Sequence, residues 1–283
     1  GFFIRCRDTF LFVNILQFAL VTLMYWNIGK GKYWKILFYG SVAGCIASIL
    51  ESGTVAFICR ESTKGKTYSN VFTFFVAEFF WICNEYSIPL LNLVKMKAFT
   101  NGKASKIVNH TVLTIFPLFA ICRFWIGYVR SKFSVIKMDD IDNTHGVTFA
   151  LMAIADLVCT ISIIYYVRKH NKQELIKTSN ITHYIERSSY AILVCVDAVS
   201  IILAVLCFIP TYFSSVPKSI PLPLHCIKCA FLLILATDAL LFKYEANTSS
   251  VQSSESYKYK NSYDTYNYNK SRNNFSMETS NHS

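Results

Sequence analysis

Eight ionisable side chains stand inside long apolar runs of this 283-residue sequence: Glu51, Glu78, Glu85, Arg123, Asp156, Asp197, Lys228 and Asp238. A charge surrounded by hydrocarbon is costly unless it is paired or hydrated, so each one marks a protein-lined interior and a candidate site. Glu78 and Glu85 are seven residues apart, two helical turns, and share one helix face with Trp81. Asn84 and Glu85 precede Pro89, whose missing N–H frees the Glu85 carbonyl and invites a kink that would serve as a hinge.

Depth along the runs divides these groups. Glu51, Glu78, Arg123 and Lys228 fall towards the end read below as outer, where Arg123 can pair with Glu78 or Glu51, and Lys228 with another acid. With Trp81 and His225 they would line an outward-opening polar pocket in which a small ligand exchanges ion-pair partners; a static lock on helix packing is the alternative. Glu85, Asp156, Asp197 and Asp238, with Asn84, fall nearer the middle or inner half, where the runs hold no base. Those carboxyls are expected to be protonated, to share protons or to hold a cation.

Other motifs carry less chemistry. His225 and Lys228 are flanked by Cys226 and Cys229, but there is no second cysteine pair and no further clustered histidine, so no metal site and no cofactor is expected. No phosphate-binding glycine loop, serine elbow or metalloprotease helix occurs, and no enzymatic activity is expected. Gly40-Ser41-Val42-Ala43-Gly44, with Ser48 and Glu51 on the same face, reads as a small-residue surface for close helix packing.

The elements that must position these groups follow from composition. The chain is 53% hydrophobic and 16% charged, its apolar residues lie in long blocks, and nothing shows the period-2 alternation of a barrel. The expected fold is all-α, a polytopic seven-transmembrane-helix bundle over residues 1–244, with helices near 9–26, 36–59, 70–94, 107–129, 146–167, 189–210 and 222–242. Each can cross about 30 Å of hydrocarbon at about 1.5 Å per residue. Aromatic residues such as Trp26, Trp34, Tyr128, Tyr165 and Tyr244 collect at block ends, as rings settling at the headgroup level do. Residues 245–283 are rich in Ser, Asn and Tyr and too poor in aliphatic residues to order themselves, so a disordered cytoplasmic tail is expected, able to recruit partners once phosphorylated. Because the first residue is Gly1, a preceding segment is expected to be missing from this sequence.

The net charge of +11 sits between the blocks, where it anchors helices and sets topology and implies no nucleic-acid partner. With the amino terminus outside, the inner connections and tail start hold thirteen lysines and arginines against nine outside. The expectation is therefore an outer amino terminus and a cytoplasmic carboxyl terminus, in the plasma membrane. Glycosylation sequons at Asn180, Asn247, Asn274 and Asn281 fall on the inner side and argue the other way. The basic connection from Arg168 to Lys177 would meet an acidic signalling protein or anionic lipid.

Seven passes, an outer amino terminus, a basic third inner loop and a Ser/Thr-rich tail resemble the layout of G-protein-coupled receptors across nearly the whole chain. Cys207-Phe208-Ile209-Pro210 resembles the C-W-x-P element of the sixth receptor helix, with Phe in place of Trp. Asp238-Ala239-Leu240-Leu241-Phe242 resembles N-P-x-x-Y without its proline and tyrosine, and Val94-Lys95-Met96 stands where a D-R-Y element is expected. The resemblance implies a receptor that binds a small ligand from outside and signals through its inner loops and tail. The alternatives are a proton- or cation-coupled transporter or channel using the intramembrane carboxylates, and a structural membrane protein without a ligand.

Overall fold

A computed structural model describes residues 2–29, 31–59, 70–100, 102–133, 139–171, 180–213, 216–217 and 219–244, and their regular structure is entirely helical. The helices are α1 (Phe2–Ile28), α2 (Lys32–Ile58), α3 (Phe72–Phe99), α4 (Lys103–Phe133), α5 (Asp139–Asn171), α6 (Asn180–Tyr212) and α7 (Leu222–Cys229), then α8 (Phe231–Tyr244). The chain divides into two units, Gly1–Asp238 and Ala239–Ser283. The tail from Glu245 with its three sequons, and the loop lysines Lys172 and Lys177, lie outside the described residues.

Five helical segments are long and apolar enough to cross a membrane: Phe10–Ile28, Lys32–Ile58, Lys103–Phe133, Ile141–Tyr166 and Tyr190–Pro210; α7 and α8 taken together make a sixth. This is a multi-pass membrane protein by length and composition. At 28 residues α3 is also long enough, but Glu78, Asn84, Glu85, Asn92 and Lys95 lower its hydropathy, and the expected seventh pass rests on this helix.

Burial is inverted relative to a water-soluble protein. Large apolar side chains such as Phe12, Leu16, Ile121, Trp125, Ile161 and Ile202 are exposed on the perimeter, while Glu78, Glu85, Arg123, Asp156, Asp197 and Lys228 are buried. Lipid can cover the first group, and the second must find partners inside the bundle. Helices α1 to α7 pack in sequence order with α1 closing against α7, and α3 also touches α5. That contact pattern makes α3 the axis to which polar groups on α2, α4 and α5 can point.

Small residues set the close approaches. A Cβ added at Gly44 would lie 2.8 Å from Asn84 Oδ1 and 2.9 Å from Asn14 Oδ1, so this glycine lets α2 lie against both α1 and α3. A Cβ at Gly127 of α4 would meet Glu78 Cγ at 3.0 Å, which leaves the glutamate a slot between Arg123 and Arg130.

One element differs from the sequence expectation. The block at 222–242 is not one straight helix: α7 and α8 meet at a bend of 41°. At Ala230 the N–H bonds to Ile227 O, a tighter i to i−3 closure. The break frees backbone donors for which lipid offers no substitute, and Gln17 of α1 accepts one of them, the Leu233 N–H, at 3.1 Å. Helix α3 runs from Phe72 to Phe99 with Pro89 inside it.

Candidate functional site

The site is organised by one stripe of α3. Residues 78, 81, 85, 88, 92 and 95 recur at alternating intervals of three and four, so Glu78, Trp81, Glu85, Ile88, Asn92 and Lys95 lie on one helix face. All but Ile88 hydrogen-bond or pair with side chains of other helices, which divides the stripe into three levels.

At the end of the bundle where α1 begins, three acids meet three bases. Arg123 donates from Nε to Glu85 at 3.0 Å and from Nη1 to Glu78 at 2.9 Å, and its Nη2 also pairs with Glu85. Lys228 donates to the other Glu85 oxygen at 2.7 Å. Arg130 reaches Glu51 and the second Glu78 oxygen, both at 3.2 Å, and the Trp81 indole N–H donates to Glu51 at 2.8 Å. The matching is local: Arg123 and Arg130 are seven apart on α4, as Glu78 and Glu85 are on α3, so the two stripes meet in register. Each carboxylate oxygen of the three glutamates therefore has a donor, as buried charge requires.

Above this network lies a cavity of about 130 Å³. Its polar wall contains Glu51, Trp81, Arg123, Arg130, His145 and His225, and its apolar wall is built around Phe149, Leu203, Cys207 and Leu222. Phe149 joins the two walls. Lys228 Nζ sits 3.7 Å from its ring centroid, His145 stacks on it at 5.7 Å and His225 tilts against it at 5.5 Å. Two of the lining residues carry a nitrogen that is buried without a hydrogen-bond partner, Arg130 at Nε and His145 at Nδ1. Glu51 is the loosest carboxylate, its side chain 26% exposed against 1% for Glu78 and 4% for Glu85.

The middle level is different. Asn92 donates to Asp156 Oδ1 at 3.1 Å, and Asp197 of α6 lies near this carboxyl of α5. Both aspartates are buried, and Asp156 Oδ2 and both Asp197 oxygens accept no hydrogen bond. At the opposite end from the cavity, Lys95 pairs with Asp238 at 2.5 Å, with Tyr33 beneath the ammonium at 5.7 Å.

Several sequence-assigned positions shift. Glu85 was grouped with inner acids lacking a base, whereas it bridges Arg123 and Lys228 and joins the level of Glu78. Asp238 likewise has a base, Lys95, which lies just past the expected block end at 94 but inside α3. Asn84 faces Gly44 and Asn14 on the α1–α2 side, and borders a void of about 10 Å³ next to Glu85 and Lys228, at the lower limit for one water molecule. Glu51, Glu78, Trp81, Arg123 and Lys228 converge in one network, and His225 lines its cavity.

Sequence reasoning missed Arg130, His145, Phe149, Asn92 and Lys95. Arg130 carried a signal: its seven-residue spacing from Arg123 repeats that of the two glutamates. Asn92 and Lys95 continue the same stripe at the next heptad. His145 and Phe149 carried no signal above an ordinary histidine and phenylalanine at a helix start.

The chain matches no protein-family model, no curated protein and no solved structure.

Proposed function

We propose that this chain is a seven-transmembrane, receptor-like protein that binds a small molecule bearing a carboxylate or similar oxyanion in the cavity between Arg130, His145 and Phe149. The observation that carries the proposal is the Arg130 side chain, which lines the cavity, keeps a buried Nε–H without an acceptor and divides its Nη1 between Glu78 and the loosely held Glu51. A ligand oxyanion would take the Nε–H and the adjacent Nη2 in a charge-assisted fork, and would compete with Glu51, held on Nη1, for the guanidinium charge. The apolar part of the ligand would lie on Phe149, Leu203 and Leu222. In this reading α3 is the remaining pass, its polar stripe hidden from lipid by α2, α4 and α5. The lysine and arginine count supports an outer amino terminus, which opens the cavity outward and leaves the inner loops and tail to signal.

The test is a thermal-shift screen of the purified protein in lipid nanodiscs against small organic acids and matched amines. At least one acid should raise the melting temperature, and Arg130→Gln should abolish that rise. Stabilisation by amines alone, or by acids in Arg130→Gln as well, would overturn the assignment.

One observation favours a second reading, ion-coupled transport: the stripe of α3 leads polar groups from the cavity through Asn92 to the Lys95–Asp238 pair at the far end. Flux through the purified protein in liposomes, lost in Asp156→Asn, Asp197→Asn or Asp238→Asn, would replace the receptor reading with this one.

A further inference from the structure

We infer that Asp156, Asp197, Asn92, Thr160 and Ser200 form a binding site for a hard metal cation between α3, α5 and α6. Six oxygens there are buried and lack a hydrogen-bond partner: Asp156 Oδ2, both Asp197 carboxylate oxygens, Asn92 Oδ1, Thr160 Oγ1 and Ser200 Oγ. The five residues are at most 3% exposed, so water outside the bundle does not satisfy them. A buried oxygen without a donor is uncommon in a folded protein, and six among five neighbouring side chains require an explanation.

Helix geometry brings the groups together. Asp156 and Thr160 are four apart on α5, and Asp197 and Ser200 three apart on α6, so each pair shares a face, and α5 packs on α6. Asn92 fixes the third side, since its Nδ2 bonds Asp156 while its Oδ1 stays unpartnered beside that carboxylate. The Thr160 hydroxyl lies close enough to the Asp197 carboxyl to act on it as a donor, although the contact falls short of a well-aligned hydrogen bond. Two carboxyls and three neutral side chains are thus gathered here, with the Asn92 amide on Asp156 and six oxygens left without a well-aligned donor.

Charge then selects the ligand. Lys228 acts on Asp156 only through space, because its ammonium is committed to Glu85 at 2.7 Å. No protein cation neutralises the two aspartates at short range among the described salt bridges. All six unpartnered atoms are oxygens, the ligand type of sodium, calcium and magnesium, and no group of three or more His, Cys, Asp or Glu suited to a metal ion occurs among the described residues. A divalent ion would cancel both charges, and a monovalent ion would cancel one and leave the other carboxyl to hold a proton. The site is separate from the cavity and stands whether the chain signals or transports.

The experiment is a stability titration of the full chain in nanodiscs with sodium, calcium or magnesium chloride, against choline chloride at equal ionic strength and fixed pH. Ligation predicts saturable stabilisation by at least one of the three metals, which also identifies the ion, and its loss in Asp197→Asn and Asp156→Asn. Thr160→Val and Ser200→Ala keep both charges and are expected to weaken the apparent metal affinity by about tenfold, so they report even if the aspartate variants do not fold. Equal stability in all four salts, metal affinity unchanged in Thr160→Val and Ser200→Ala, or stabilisation that persists in Asp197→Asn would each overturn the site. Stabilisation by acidification with no metal effect would assign the aspartates to protons.

Discussion

Two levels of one helix solve the same problem in opposite ways. Around Glu78 and Glu85 every carboxylate oxygen meets a nitrogen, and Glu51, Glu78 and Glu85 are balanced by Arg123, Arg130 and Lys228. About 10 Å further along α3, by a rise of about 1.5 Å per residue, Asn92 bonds Asp156, and neither Asp156 nor Asp197 has a cationic partner at short range among the described residues. The difference lies in the neighbours: α4 and α7 present bases to the first level, whereas α5 and α6 present acids, a threonine and a serine to the second. A self-neutral network is a lock that holds helices together. An unmatched one needs an ion or a proton from outside the chain.

The largest effect should come from breaking the lock. Arg123→Gln removes the guanidinium shared by Glu78 and Glu85 and leaves three buried glutamates to two bases, Arg130 and Lys228, so a loss of about 3–5 kcal/mol is expected in unfolding measurements in detergent. A loss under about 1 kcal/mol would mean water already reaches the glutamates and would erase the contrast between levels. Lys228→Met is milder, since Glu85 keeps Arg123, and should cost about 2 kcal/mol, including the ammonium–ring contact with Phe149. At the unmatched level the sign reverses. In choline buffer Asp197→Asn removes a buried charge without an ion pair, so stability should stay level or rise by about 1 kcal/mol; a loss like that of Arg123→Gln would show that Asp197 has a protein partner after all.

Much of this arrangement was legible because hydrophobicity and depth are one-dimensional properties. The seven apolar blocks fall on helical elements of the structure, with ends displaced by several residues because helices continue into polar sequence past the apolar core. The same displacement hid Arg130. An apolar block ending at Val129 leaves it in a loop, whereas α4 runs to Phe133 and turns it inward. Glu85 was placed at the wrong level because depth along one helix says nothing about how far Arg123 and Lys228 reach from two others. The break between α7 and α8 was invisible for a related reason. No glycine or proline marks Ala230, and the freed Leu233 N–H is satisfied by Gln17, 216 residues away in sequence.

The central claim is that the cavity takes an oxyanion in competition with Glu51. It is tested most directly by measuring the affinity of the stabilising organic acid for wild type and Glu51→Gln in nanodiscs. Removing Glu51 relieves Arg130 of one of its two carboxylates, so Glu51→Gln should bind the acid more tightly, by about tenfold for about 1.4 kcal/mol of relieved competition. Weaker binding in Glu51→Gln would contradict the account, for it would make Glu51 the group that holds the ligand and a cation the ligand it holds.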